Sequence, residues 1–167
     1  MPTSIRRFTP DEWRTYRDLR LRALSESPDA FGSTYEREVV LTDDDWRNRL
    51  ADGATSPNEL PLLALADDAP AGLAWGRIAD EKPDVAHIYS VWIAAEHRDR
   101  WLGRVLIRTV IDWARTRGMR LVQLDVTASN AAGVRFYRRL GFVEVGEPRF
   151  MRGELWSQVM ELVLDPA

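Results

Sequence analysis

Two rhythms of apolar residues run through the chain. Short apolar runs bounded by turn residues stand at residues 4–8, 61–66, 71–79 and 85–93, then at 121–126, at 142–146 and in the closing stretch SQVMELVL. Their lengths and flanks predict strands. Over about 102–117 the spacing becomes helical: Leu102, Val105, Leu106, Val110 and Trp113 fall on one side, while Arg104, Arg108, Asp112 and Arg115 share another. Gly118 stops this helix. A further helix is expected over about 130–140. Nearer the start, TPDE offers Thr9 as a cap, Pro10 in the first turn and Glu12 to close a capping box, so a helix should run to about Ser25. TDDDWRNRLA offers Thr42 as a second cap, with Asp43, Asp44 and Asp45 at the positive end of the helix dipole, and predicts a short helix. The intervening SESPDAFGSTYERE is broken by Pro28 and Gly32 and reads as a loop carrying Phe31, Tyr35 and Glu36.

The turn sequences DDAP and DEKPD make the three runs between 61 and 93 consecutive antiparallel strands. After them the order strand, helix, strand implies a parallel crossover. The expected fold is therefore a mixed α/β (α+β) architecture, a mostly antiparallel twisted sheet of six to seven strands flanked by about four helices. Where a meander turns parallel, neighbouring strand ends can part, and crevices at the carboxyl ends of strands take ligands. With 167 residues, 45% hydrophobic content and neither linker nor repeat, the expectation is one domain over 1–167.

Composition narrows the chemistry. The chain has no cysteine, which removes disulfide scaffolds, thiolate catalysis and Cys-ligated zinc, and suits a cytoplasmic setting. No metal is expected. A net charge of -3 argues against general nucleic-acid binding. The start MPTSIRRFTPDEW contains no apolar run of signal-peptide or membrane-spanning length, so neither export nor a membrane partner is expected.

The helix at 102 begins oddly. Nothing immediately before Leu102 can cap it, yet Arg98, Arg100 and Arg104 surround its first turn. Free amides at a helix N-terminus flanked by guanidinium groups make an anion site, and a bound phosphate would supply the missing cap. The alternative is that these arginines extend into solvent with Asp99 or Glu96 as partners.

VWIAAEHRDRWLGRVLI, followed at the right interval by LDVTASNAAGVRFYRRLGF, resembles the GCN5-related N-acetyltransferases, the acetyl-CoA-dependent GNAT superfamily. The resemblance implies an acyl-CoA acyltransferase-like fold and places cofactor contacts on the phosphate loop, at Arg98, Asp99, Arg100, Trp101, Leu102, Gly103 and Arg104. Trp101 departs from the pattern, since it stands where the family has its inner glycine. The resemblance further implies that Val91, Trp92 and Ile93 pair their backbone with the pantetheine arm, with an amide near Val91 or Trp92 as oxyanion donor. It implies that Asn130 contacts the cofactor, beside its reading as a helix N-cap, and that Phe136 lies along the acyl or pantetheine channel, beside its reading as core. Tyr137 matches the tyrosine that protonates the departing thiolate; without the family it reads as a core residue. His87 stands where a glutamate often acts as base, and it reads equally as a half-buried strand histidine. Glu36 is a weaker candidate for the base.

The implied function is transfer of acetyl from acetyl-CoA directly to a primary amine of an acceptor, either a small molecule or a protein amine. That route needs no enzyme nucleophile, so a chain without cysteine is compatible with it. The alternative is a non-catalytic acyl-CoA-binding module. The acceptor pocket would come from the loop at 26–40, the strand edges and the segment 147–157. A homodimer is common in such folds, although no motif here specifies one.

Overall fold

The computed structural model describes residues 2–98 and 101–165. Seven strands form one sheet: β1 Thr3–Arg7, β2 Glu59–Ala66, β3 Ala69–Ile78, β4 Val85–Ile93, β5 Leu121–Thr127, β6 Val143–Arg152 and β7 Leu155–Val163. Their order is β1-β2-β3-β4-β5-β7-β6, and only the β4–β5 pair is parallel. The helices are α1 Trp13–Glu26, α2 Tyr35–Glu38, α3 Asp43–Thr55, α4 Leu102–Thr116 and α5 Ala131–Arg139.

Helices cover both faces of the sheet. On one side α1 and α3 enclose Trp46, Leu50, Leu63, Leu73 and Trp92, all buried. On the other, Leu106, Ile107 and Val110 of α4 pack with Leu124 and Met160. The α3 backbone lies so close to β3 that a Cβ on Gly53 would come within 2.1 Å of the Trp75 ring, so this position tolerates no side chain while Trp75 keeps its place.

Three expectations need correction. The segment 26–40 is more ordered than a loop: Pro28–Ala30 forms a 3-10 turn, and Thr34 caps α2 by accepting the Arg37 N–H at 3.3 Å. Helix α1 begins only at Trp13, with no side-chain cap. Glu12 does accept the Thr9 N–H at 2.8 Å, but it also receives a two-pronged contact from Arg6 at 2.7 and 2.8 Å, which holds it in the turn before the helix. The last correction concerns β6, which runs on through Arg152 instead of ending near 146, because the turn at Gly153 (φ 53°) closes a long hairpin with β7. The capping box at Thr42 and Asp45 forms as expected, each side chain taking the other residue's N–H.

Candidate active site

The site arises where the sheet splits. β4 and β5 pair only from Val85 with Leu121 to Ile88 with Leu124; beyond that, β4 continues to Ile93 and β5 to Thr127 with no ladder between them. A bulge in β4 sharpens the break. Tyr89 faces Trp75 and Trp92 faces Leu73, so β4 carries one residue more than β3 here, and Ser90 takes a left-handed conformation (φ 56°). The extra residue reverses the alternation, sending Trp92 into the core under α1 and Ile93 into the core under α4. The outer edge of β4 is left facing a groove of about 860 Å³, within the usual size range of ligand clefts.

α4 closes one end of this groove. Its N-cap is Trp101, left-handed at φ 67° and lacking any side-chain cap, while the first N–H to close a helical bond is that of Val105, donated to the Trp101 carbonyl. The amides of Leu102, Gly103 and Arg104 thus lie in the turn that an α-helix leaves without internal partners. Trp101, Gly103 and Arg104 line the groove, Gly103 with its backbone, and the Arg104 guanidinium sits over the Trp101 ring at 5.4 Å. Trp101 is 69% exposed. Leu102, by contrast, is buried in the core and has only its backbone to offer.

Arg98 also lines the groove, but its Nε donates to the Ile93 carbonyl at 2.9 Å and its Nη2 to Ser27 Oγ at 3.3 Å. It ties the end of β4 to the end of α1 instead of standing free. Asp99 and Arg100, expected in the same loop, lie outside the described residues. On the far wall, Asn130 caps α5 by accepting the Gly133 N–H at 3.0 Å, as its N-cap reading expects, and it also lines the groove. Phe136 and Tyr137 follow nearly two helical turns on, their rings edge to face at 5.1 Å. No protein acceptor among the described residues takes the Tyr137 hydroxyl, and burial pushes its pKa up to about 12.

An open strand edge, an uncapped helix start and a phenol thus meet in one cleft. The acetyltransferase (GNAT) family model matches residues 13–142, most of the chain. The chain belongs to the GNAT acetyltransferase family. Among its relatives, the ribosomal protein bS18-alanine N-acetyltransferase of Salmonella typhimurium is 34% identical over 99 residues, covering 59% of this chain and 65% of that protein. The chain thus spans just under two thirds of that relative's length. Among solved structures, yncA from Salmonella typhimurium, determined with its cofactor acetyl-CoA, superposes with a TM-score of 0.82 at 20% identity over 100% of this chain and 96% of that one. The spermidine N-acetyltransferase of Vibrio cholerae, in complex with CoA and spermine, gives 0.77 at 19% identity over 96% and 95%. At these identities the structural likeness is one of fold.

For a GNAT family member, two placements stand out. Trp101, which stands where the family pattern has its inner glycine, adopts a left-handed backbone conformation that glycine takes at no cost. His87, aligned with the family's glutamate, does not line the groove: its Nε2 meets Gln123 Oε1 at 2.9 Å, Gln123 donates in turn to Glu161 at 2.6 Å, and the ring stacks on Tyr89 with centroids 6.0 Å apart. Its Nδ1 is buried without a partner among the described residues. Glu36 is exposed on α2, away from both cavities.

A second cavity of about 200 Å³ opens beside the groove and shares Phe31, Tyr89, Ser90 and Asp125 with it. Two charged residues that the sequence reading does not single out, Arg20 and Asp125, line it, and a further carboxylate stands behind Arg20. Glu38, only 5% exposed, is held by Arg20 through Nε at 3.0 Å and Nη2 at 2.8 Å, and by Arg49 at 3.0 Å. Burial works to raise the Glu38 carboxyl, but Arg20 and Arg49 outweigh it and hold it below the usual carboxylate range. Nothing in YERE distinguishes Glu38 from Glu36 except helical phase, which a segment read as loop does not supply. The roof of the cavities, Pro28 to Phe31, is pinned from β6 by Arg152, which donates to the Phe31 carbonyl at 3.1 and 3.2 Å and also to that of Pro28.

Proposed function

We propose that the protein transfers an acetyl group from acetyl-CoA to a primary amine without a covalent enzyme intermediate. The observation that carries this reading is the meeting, in one groove, of three features suited to three parts of one substrate. The first-turn amides of Leu102, Gly103 and Arg104, without partners among the described residues, and the Arg104 charge beside them suit a diphosphate. The open edge of β4 from Tyr89 to Ile93 suits an extended arm bearing amides, which can add to it as a strand does. The Tyr137 hydroxyl, free of protein acceptors among the described residues, suits the sulfur.

In the reaction the amine nitrogen bonds to the acetyl carbon, the carbon–sulfur bond breaks, the amine loses a proton and the sulfur gains one. An amide on the bulged part of β4 polarises the carbonyl as an oxyanion donor. Tyr137, protonated throughout the physiological range, directs its O–H to the sulfur as negative charge builds there. Two groups compete for the amine's proton: Asp125, on the wall of the groove, and His87, set back behind Tyr89. The position of Asp125 favours it.

The test is thiol release from acetyl-CoA with a panel of amines, together with calorimetry of CoA binding. Y137F should lose about 10²–10⁴-fold in turnover while binding CoA as the wild type does. Turnover of Y137F at the wild-type rate would remove Tyr137 from the mechanism. Tight CoA binding with no thiol release from any amine would favour a non-catalytic acyl-CoA-binding module.

A further inference from the structure

We propose that the small cavity beside the groove is an acceptor subsite for a zwitterionic amine, an α-amino acid or close analogue, whose carboxylate is held by Arg20. This rests on the transferase reading and names the class of its second substrate. Three observations lead to it.

The first is a charge imbalance. Glu38 is a single carboxylate shared by two guanidinium groups, so the cluster keeps one positive charge in excess, spread over Arg20, whose side chain is 12% exposed, and Arg49, whose side chain is 39% exposed. A buried cation short of counter-charge is costly, and an incoming anion relieves that cost. The second is the direction in which the charge points. A guanidinium presents two forked edges to carboxylates. Glu38 occupies the edge formed by Nε and Nη2; the other, formed by Nη1 and Nη2, has only Ser90 Oγ as a partner among the described residues, at 3.3 Å from Nη1. Arg20 lines the cavity, and Ser90 lies on the bulge where cavity and groove join. A carboxylate on this free edge is therefore seated next to the place where the thioester would lie.

The third is the opposite charge across the space. Asp125 lines both cavities, and its one ion pair among the described residues is with the exposed Arg149 at 3.3 Å. A molecule with an ammonium toward Asp125 and a carboxylate toward Arg20 matches both, whereas a polyamine would set a second cation against Arg20. About 200 Å³ is small beside clefts that hold drug-sized ligands, roughly 300–1,000 Å³. The remaining walls, Phe31, Tyr89 and Met151, suit an apolar side chain.

The experiment compares L-leucine, L-methionine and L-phenylalanine with their primary amides, and with spermidine, as acceptors in the thiol-release assay. The amide keeps the amine and the side chain and removes only the carboxylate, and its amine is the more readily deprotonated, so without an anion subsite the amide should react faster. We expect kcat/KM to favour the free acid by about tenfold or more, and R20Q to bring that ratio close to one. Glu38 keeps Arg49 in R20Q, so no buried carboxylate is orphaned, and an unchanged far-UV spectrum and cooperative melting check the fold. Calorimetry of N-acetyl-L-leucine and its amide on the CoA-loaded protein gives a readout independent of turnover. Preference for the amide or for spermidine, or a ratio unaltered in R20Q, overturns the subsite and leaves the transferase reading standing. If no amine releases thiol, the transferase reading fails, and calorimetry alone decides the subsite: binding that does not depend on the carboxylate overturns it.

Discussion

Trp101 carries the clearest conflict between a residue and its backbone. A bulky side chain in the left-handed region costs about 1–2 kcal/mol, and nothing in the described part of its surroundings buries the ring in return. We expect W101G to hold or raise thermal stability, with a gain of up to about 1 kcal/mol, and calorimetry to show what the ring adds to CoA binding. His87 lends itself to an equally direct check. Since its ring lies outside the groove, H87Q should change kcat/KM by less than about threefold and leave the pH profile in place; loss of the acid limb would instead make it the base. The phenol of Tyr137 has a sign that can be worked out. A group raised to about 12 stays protonated below that value, so no alkaline fall in activity below about pH 11 should trace to it. At this scale the sequence was informative where a residue's duty follows from its own chemistry, as for Asn130 capping its helix. It was silent on Arg20 and Glu38, whose meaning comes from a contact between residues far apart in the chain.

At the scale of elements, α1 shows how a local signal is overridden. Thr9 and Glu12 have the right spacing for a capping box, but Arg6 at the end of β1 holds the Glu12 carboxylate, and the helix begins after it. The same contact gives a pH prediction. The hydrogen bond from Arg6 lowers the Glu12 pKa to about 2 in the folded protein. A depressed carboxylate adds stability that is present above its unfolded pKa and fades as pH falls toward the folded value. E12Q should therefore be less stable than wild type by up to about 1 kcal/mol at pH 7, with the gap closing between about pH 4.5 and pH 2 in denaturant titrations. The bulge in β4 was not legible at all: Ser90 and Val91 carry no glycine or proline to announce it, and the run reads as an even strand. Strand existence was legible because alternation and turn residues are local. Strand extent was less so, as the length of β6 shows.

For the whole molecule, the parallel crossover after β4 followed from the order of elements, and with it the expectation of a crevice. The insertion of β7 between β5 and β6 could not be read, because pairing order is decided by which edges remain open after the hairpin folds back. The groove unites parts of the chain from Glu26 to Tyr137, so a ligand filling it binds only the folded state. CoA at about 100 times its Kd should stabilise the protein by about 2.7 kcal/mol, roughly a 5–10 °C rise in melting temperature for a chain of this size. Absence of any thermal shift would argue that the split in the sheet is not a coenzyme site.

Arg152 reaches from the closing hairpin to the carbonyls of Pro28 and Phe31. The ceiling over the two cavities is therefore fastened by a bolt made far along the polypeptide. Grafting residues 26–40 alone into another scaffold would transplant the ceiling without its bolt, and the shape of the cavities beneath it should travel only when both pieces move together.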